Sequence, residues 1–241
     1  MAASGDRRFT RINFGSIATV GRVTRRVKRR TYDSPVRRAA AARTRAAVID
    51  AARRLFAAQG YAETSVADIA AEAGVSVDTL YAAVGRKPQL LLAVHDSILS
   101  EGEGPIEAQQ RGYVKAIRAA STASEKIDVY VDALTRLLPR TAPLLEALRV
   151  AGRDDPACLE MYEQINDRRS HNMGLLVQEL RATGHMRDGI DDESATLLMW
   201  SMNSSTYYEL LRARGVSPKE YGALIREVWG RTLVDERSQG R

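Results

Sequence analysis

The sequence predicts an all-α fold, an N-terminal three-helix unit followed by a larger C-terminal helical bundle. Three observations predict it. Apolar residues recur at spacings of three and four from Val48 to the last helix-forming segment, and no segment alternates for long enough to make a strand. Gly, Pro and Ser/Thr/Asp residues also punctuate the chain at helix-length intervals. With 241 residues, 44% of them hydrophobic, there is material for one or two domains with a proper core. The expected organisation is a disordered basic arm over 1–36, a three-helix unit over 37–86 and a helical bundle over 87–241.

Charge divides the chain more sharply than its total suggests. The formal net charge is +6, but residues 1–45 hold 13 Lys/Arg against Asp6 and Asp33, a local +11 that leaves −5 on the remainder. A basic head on a mildly acidic body points to a polyanionic partner for the head alone. Residues 1–36 mix Arg with Gly, Ser and Thr without apolar periodicity, which is why they read as a disordered arm. Several roles stay open for that arm: tracking of nucleic acid, an Arg-rich transit peptide, a faint twin-arginine signal at Arg7 and Arg8, or a start of translation further in. A single Cys excludes a disulfide framework and suggests a cytoplasmic setting. The uncharged run at residues 194–208 is too short and too rich in hydroxyls to span a membrane.

The elements follow in order. From Ala39, the residues Val48, Ala51, Ala52, Leu55 and Phe56 line one face of a helix that Gly60 ends. Thr64 or Ser65 caps a second helix bearing Val66, Ile69, Ala70 and Ala73, broken by Gly74, and Ser76 caps a short third helix through Ala83. Lys87 and Pro88 open a fourth, with Leu90, Leu91, Val94 and Ile98 on one face. An amphipathic helix is expected over 125–138, stopped near Pro139, with a shorter one over 143–150. A long helix follows over 156–182, then one from Glu193 to about Arg214 capped by Asp191 or Asp192. Ser217, Pro218 and Glu220 form a capping box that starts a last helix through Leu233.

The segment VADIAAEAGVSVDTLYAAV at 66–84 has helix-turn-helix spacing: small Ala70 at the crossing, Gly74 for a left-handed turn and Leu80 to plug the joint. Its polar second helix, with Ser76, Asp78 and Thr79, distinguishes it from an ordinary hairpin inside a core.

Together with the run 49–61, residues 64–70, 73–76 and 79–81, Lys87, Leu90 and Leu91, this segment resembles the tetracycline-repressor (TetR) family of bacterial transcription regulators. The likeness covers about residues 42–95, and more weakly the helices over 191–211 and 217–233, which look like that family's dimerising pair. The resemblance implies duplex DNA as partner and a homodimer. Thr64, Ser65, Tyr81 and Lys87 then take phosphate-contacting positions. Ser76 stands at the start of the reading helix, and Val77, Asp78, Thr79 and Ala82 face base edges. Asp78 reads equally as a helix-start residue favoured by the macrodipole. Ala82, Ala83 and Val84 replace the bulky aromatics usual after Tyr81, and Arg86 replaces the usual small cap.

The resemblance also implies a small-molecule effector bound in the C-terminal half, here a largely apolar one that releases a repressor from a palindromic operator. Tyr130, Met161, Trp200, Asn203 and Tyr207 are the candidate effector residues, with Tyr113, Met202 and Tyr208 of similar character. Such side chains at helical spacing also read as core or dimer interface.

No cofactor or metal is expected, because His95, His171 and His185 are widely spaced and Cys158 has no neighbouring Cys. These histidines read as surface or capping residues. Neither a G-x-S-x-G elbow nor a phosphate-binding glycine loop is present, so the chain is not read as an enzyme. The alternative is a helical protein-interaction adaptor or a metal-free helical enzyme.

Overall fold

Helix α1, Pro35–Glu63, opens the computed structural model, which describes residues 35–101 and 106–235. The expected basic arm lies outside the described residues up to position 34, whereas Pro35 and Val36 already belong to α1. Val48, Ala51, Ala52 and Phe56 are buried, as their spacing requires. Gly60 breaks the regular helix with φ +83°, a conformation that costs a side-chain-bearing residue dearly. The chain then makes one more turn, which carries Tyr61 into the core against Phe56.

Helices α2 (Val66–Glu72), α3 (Val77–Ala83) and α4 (Lys87–Leu99) complete the N-terminal unit. Ser65 and Ser76 cap α2 and α3 through their hydroxyls, and Pro88 occupies the first turn of α4. A 3-10 turn at Ala108–Gln110 leads into α5, Gly112–Ala119.

Helix α6 departs from the sequence expectation. It runs unbroken over Ala123–Ala151, with Pro139 and Pro143 inside it, where two separate helices were expected. Each proline forfeits one N–H rung and costs about 3 kcal/mol relative to alanine. Burial on both sides of the prolines outweighs that penalty: Leu134, Leu137, Leu138, Ala142, Leu144, Leu145 and Leu148 are all enclosed. The Thr141 hydroxyl also donates to Leu137 O at 3.2 Å inside the weakened stretch.

Helix α7, Pro156–Arg181, matches its expected span. The helix expected from 193 to 214 is instead two, α8 (Asp192–Met202) and α9 (Ser205–Arg212). Ser204 breaks the run by capping a new helix through Tyr207 N, a competition that hydroxyl side chains win near helix starts. Helix α10, Pro218–Leu233, begins with the expected capping box of Ser217 and Glu220. Among the described residues, the one extended pairing joins Met186 to Val234 and clips the α7–α8 loop to the end of α10.

Two apolar clusters form the core. One unites α1 to α4 with Leu144, Leu145 and Leu148 of α6 and Met161 and Ile165 of α7. The other gathers α5, the first half of α6, the second half of α7 and α8 to α10 around Trp229 and Tyr221. Helix α6 belongs to both, and no described helix is long and apolar enough to cross a membrane.

Candidate functional site: a nucleic-acid interface and a cavity

The first site is the outer surface of α2 and α3. Leu80 is fully enclosed, Ala70 lies at the crossing, and Gly74 turns the chain with φ +67° while Val75 N bonds back to Ala70 O at 2.9 Å. This packing leaves Ser76, Asp78, Thr79, Tyr81 and Ala82 exposed, with Tyr81 46% accessible. Ser76 Oγ lies 2.8 Å from Thr79 Oγ1 and accepts from Thr79 N at 3.1 Å, fixing the start of the helix. Arg45 of α1 donates to Ala83 O at 2.8 Å, placing a cation at the negative end of α3.

Three of the expected contact residues sit differently from a free DNA-facing side chain. Thr64 is only 1% exposed, and its hydroxyl donates to Gly60 O at 2.7 Å, so the expected outward hydroxyl is absent there. Val77 is half-buried against the core. Lys87 lies 4.3 Å above the Tyr61 ring and donates to Ala62 O at 3.3 Å; burial pulls its ammonium below the ordinary lysine range. Ser65 is exposed, but its hydroxyl closes a capping box with Asp68.

The second site is a cavity of about 310 Å³ enclosed by α4, α5, α6 and α7, with Asn203 at one wall. Leucines of α6 line it: Leu134, Leu137, Leu138 and Leu145. One group of its polar residues is linked through Arg169. Arg169 donates to Asn166 Oδ1 at 2.6 Å, to Trp200 O at 3.0 Å and to Asn203 Oδ1. The Asn203 amide in turn donates to the Tyr130 hydroxyl at 2.6 Å and faces Met173 Sδ at 3.1 Å. Burial raises the Tyr130 phenol above its ordinary range and lowers the Arg169 guanidinium.

His95 and Arg111 form another part of the wall. His95 is 4% exposed, with Nδ1 3.6 Å from Asp96 Oδ1, beyond hydrogen-bond reach. Burial holds its imidazole below the ordinary histidine range. Arg111 is 7% exposed, and its Nε has no hydrogen-bond partner among the described residues. Asp96 is shared between Arg168, at 3.1 and 3.3 Å, and Arg111, at 3.8 Å.

Residues 48–94 match the family model described as bacterial regulatory proteins, tetR family. That segment of the chain is similar to the TetR family. It is 35% identical over 111 residues to an HTH-type transcriptional repressor of Mycobacterium tuberculosis, an overlap of 43% of this chain and 58% of that protein. It therefore spans little more than half the length of the curated relative it matches. Two solved structures share the fold. A transcriptional regulator from Saccharomonospora viridis in complex with choline superposes with TM-score 0.61 at 18% identity, over 80% of this chain and 98% of its own. The SmeT–triclosan complex gives TM-score 0.60 at 18% identity, over 80% and 92%. The family and these relatives are regulators, not enzymes.

The structure brings Tyr130 and Asn203 together at the cavity, and Tyr113 with them. The other three expected effector residues lie elsewhere. Met161 is buried in the core under α1 to α4. Trp200 is half-buried outside the cavity, its Nε1 donating to Asn166 O at 3.3 Å, and Tyr207 packs on Tyr221 with ring centroids 6.3 Å apart. Met161 is a core residue, and Trp200 and Tyr207 are half-buried against the second cluster. Arg169, Arg111 and His95 escaped sequence reasoning, and His95 corrects the expectation of a surface or capping histidine. A signal was present for two of them: Arg169 shares a stripe with Ile165, Met173, Leu176 and Leu180, and His95 shares one with Leu91, Val94 and Ile98. A charged or titratable residue within an apolar stripe must face something that accommodates it.

Proposed function

We propose that this protein is a cytoplasmic, ligand-responsive transcriptional repressor that binds a palindromic operator in duplex DNA as a homodimer and is released by a small-molecule effector. The observation that carries this reading is the position of α4. Its Leu90 and Leu91 pack in the core shared with α1 and α3, and its His95 and Leu99 line the cavity. One rigid element thus touches both the reading head, 37–86, and the effector half, 87–241. Ser76, Asp78, Thr79 and Ala82 face base edges, with Ser65, Tyr81 and one remaining Lys87 proton on phosphates. The half-buried Val77 offers only its edge to a thymine methyl.

A dimer must hold its two reading helices about 34 Å apart to enter successive major grooves. Exposed Leu197 on α8, at 53%, and exposed Leu224 on α10 suit that pairing face. An effector acts by binding more tightly to the conformer with the wrong spacing, and each tenfold preference is worth about 1.4 kcal/mol. The choline and triclosan complexes of two structural neighbours support a small-molecule ligand.

Recovering genomic fragments retained by the full chain tests the proposal. Fragments sharing an inverted repeat are expected, with Tyr81→Ala weakening retention and Leu197→Asp abolishing both dimer and retention. Deleting residues 1–36 should flatten the salt dependence if the arm tracks phosphates. A chain that retains no fragment, with or without that arm, would instead be a helical adaptor or a metal-free enzyme.

A further inference from the structure

We infer that the cavity takes an amphipathic organic anion, a carboxylate or similar acid head on an apolar body. This inference rests on the effector reading above and names the chemical class of that effector. Two features of the wall carry it, the direction of its hydrogen bonds and the surplus of its cations.

The direction follows from Arg169. A guanidinium only donates, so it fixes Asn203 with Oδ1 toward itself and Nδ2 toward Tyr130. The Tyr130 oxygen therefore accepts, and its own proton has no acceptor among the described residues. That proton is left for a group inside the cavity that Tyr130 lines. The polar wall thus ends on donors, the Tyr130 hydroxyl beside the Arg169 guanidinium. Such a wall calls for an acceptor.

The charge follows from counting partners. The groups that receive from Arg169 are two amide oxygens, of Asn166 and Asn203, and one backbone carbonyl. All are neutral, and no carboxylate pairs with Arg169 among the described residues. On the other part of the wall, Asp96 divides one negative charge between Arg168 and Arg111, and the Arg111 Nε remains without a partner although the residue is more than nine-tenths buried. The remaining acid, Glu179, is already matched by Lys126 at 3.2 Å and Arg118 at 3.8 Å. A largely apolar cavity, with Thr141, Asn172 and Gln178 among its neutral polar groups, thus holds surplus positive charge in a medium where an uncompensated charge is costly. An entering anion relieves that cost. A quaternary ammonium would add to it, so the ligand class differs in sign from choline. The volume, about 310 Å³, suits a small molecule near the lower end of the roughly 300–1,000 Å³ range of ligand pockets.

The experiment is calorimetric titration of the full chain with three probes of one apolar body, octanoate, octanol and octyltrimethylammonium. Octanoate is expected to bind about tenfold or more tightly than octanol, the gain of a charge-assisted over a neutral hydrogen bond, and the ammonium most weakly. Arg169→Gln should bring octanoate down to the level of octanol. Because Arg169 also latches the end of α8, Tyr130→Phe and Arg111→Gln serve as milder variants, each narrowing the octanoate preference several-fold. Octanol binding as well as octanoate, a preference that survives all three variants, or binding by none of the probes would overturn the inference. So would a fall in thermal stability for Arg169→Gln with the ranking of probes intact, since a mere latch predicts that. DNA retention measured in parallel separates this inference from the regulatory reading. Head-dependent binding that leaves retention untouched refutes the regulatory reading and upholds the anion. Release by octanol equal to release by octanoate does the reverse.

Discussion

The reading head and the cavity satisfy their polar side chains in opposite ways. In the head the helix caps are neighbours in sequence, Ser65 with Asp68 and Ser76 with Thr79, each three residues apart, while Arg45 reaches Ala83 O across 38 positions. Around the cavity they are distant, with Arg169 and Asn203 separated by 34 positions, Asp96 and Arg168 by 72, and Tyr130 and Asn203 by 73. Local partners set the starts of α2 and α3 without help from distant helices. Distant partners make a network in which a change on one helix is felt on three others. Under the proposed function, the first suits a surface that matches a duplex and the second a site that reports its occupancy.

The largest expected effect that tests this contrast is Leu80→Ala. The fully enclosed side chain plugs the α2–α3 joint, and its truncation should cost about 2–5 kcal/mol. Thermal denaturation followed by calorimetry should then show the head melting early, with the α6–α10 core melting as before. A single shifted transition would show that the two regions are less independent than their bonding suggests.

Asn203→Ala comes next. It deprives both Arg169 and Tyr130 of a partner and should cost about 1–3 kcal/mol. In a double-mutant cycle with Tyr130→Phe the two losses should be clearly non-additive. Ser76→Ala, which removes a cap in the head, should cost about 1 kcal/mol. Its effect should add to that of Asn203→Ala within about 0.5 kcal/mol in chemical denaturation, since the two sites share no partner.

The smallest effect concerns pH. Burial holds the folded-state pKa of His95 low, with Arg168 and Arg111 acting in the same direction and Asp96 against them. The unfolded chain therefore binds the proton first, and stability should fall as pH drops below about 6.5, the unfolded histidine value. His95→Gln should flatten that part of the Tm-versus-pH curve. An unchanged curve would place the acid sensitivity elsewhere.

The same contrast explains what the sequence disclosed. Ser65, Gly74, Ser76 and Leu80 act within a span of a few residues, so their spacing alone located the head and its caps. The uninterrupted α6 was hidden because Pro139 and Pro143 are read locally as breakers, while the burial that overrides them comes from α1, α4, α7 and α10. The break between α8 and α9 had a local signal in Ser204, which caps α9, but the neighbouring hydroxyls Ser201, Ser205 and Thr206 offer the same chemistry and do not single it out. The placement of Met161, Trp200 and Tyr207 away from this cavity was not legible, because side-chain type does not say which void, if any, a residue faces.

The two prolines of α6 have a mechanical consequence. A helix of 29 residues is roughly 44 Å long, and this one lines the cavity through Leu134 to Leu145 before entering the core shared with the reading head. Without the amide hydrogens of Pro139 and Pro143, the carbonyls of Thr135 and Pro139 lack their partners one turn on. The rod is therefore softest at its middle, where kinks concentrate in helices of this kind. Bending there costs less than bending anywhere else along it, so α6 acts as two stiff arms joined by a compliant joint. A change in the width of the cavity would then tilt the far arm rather than crumple the near one.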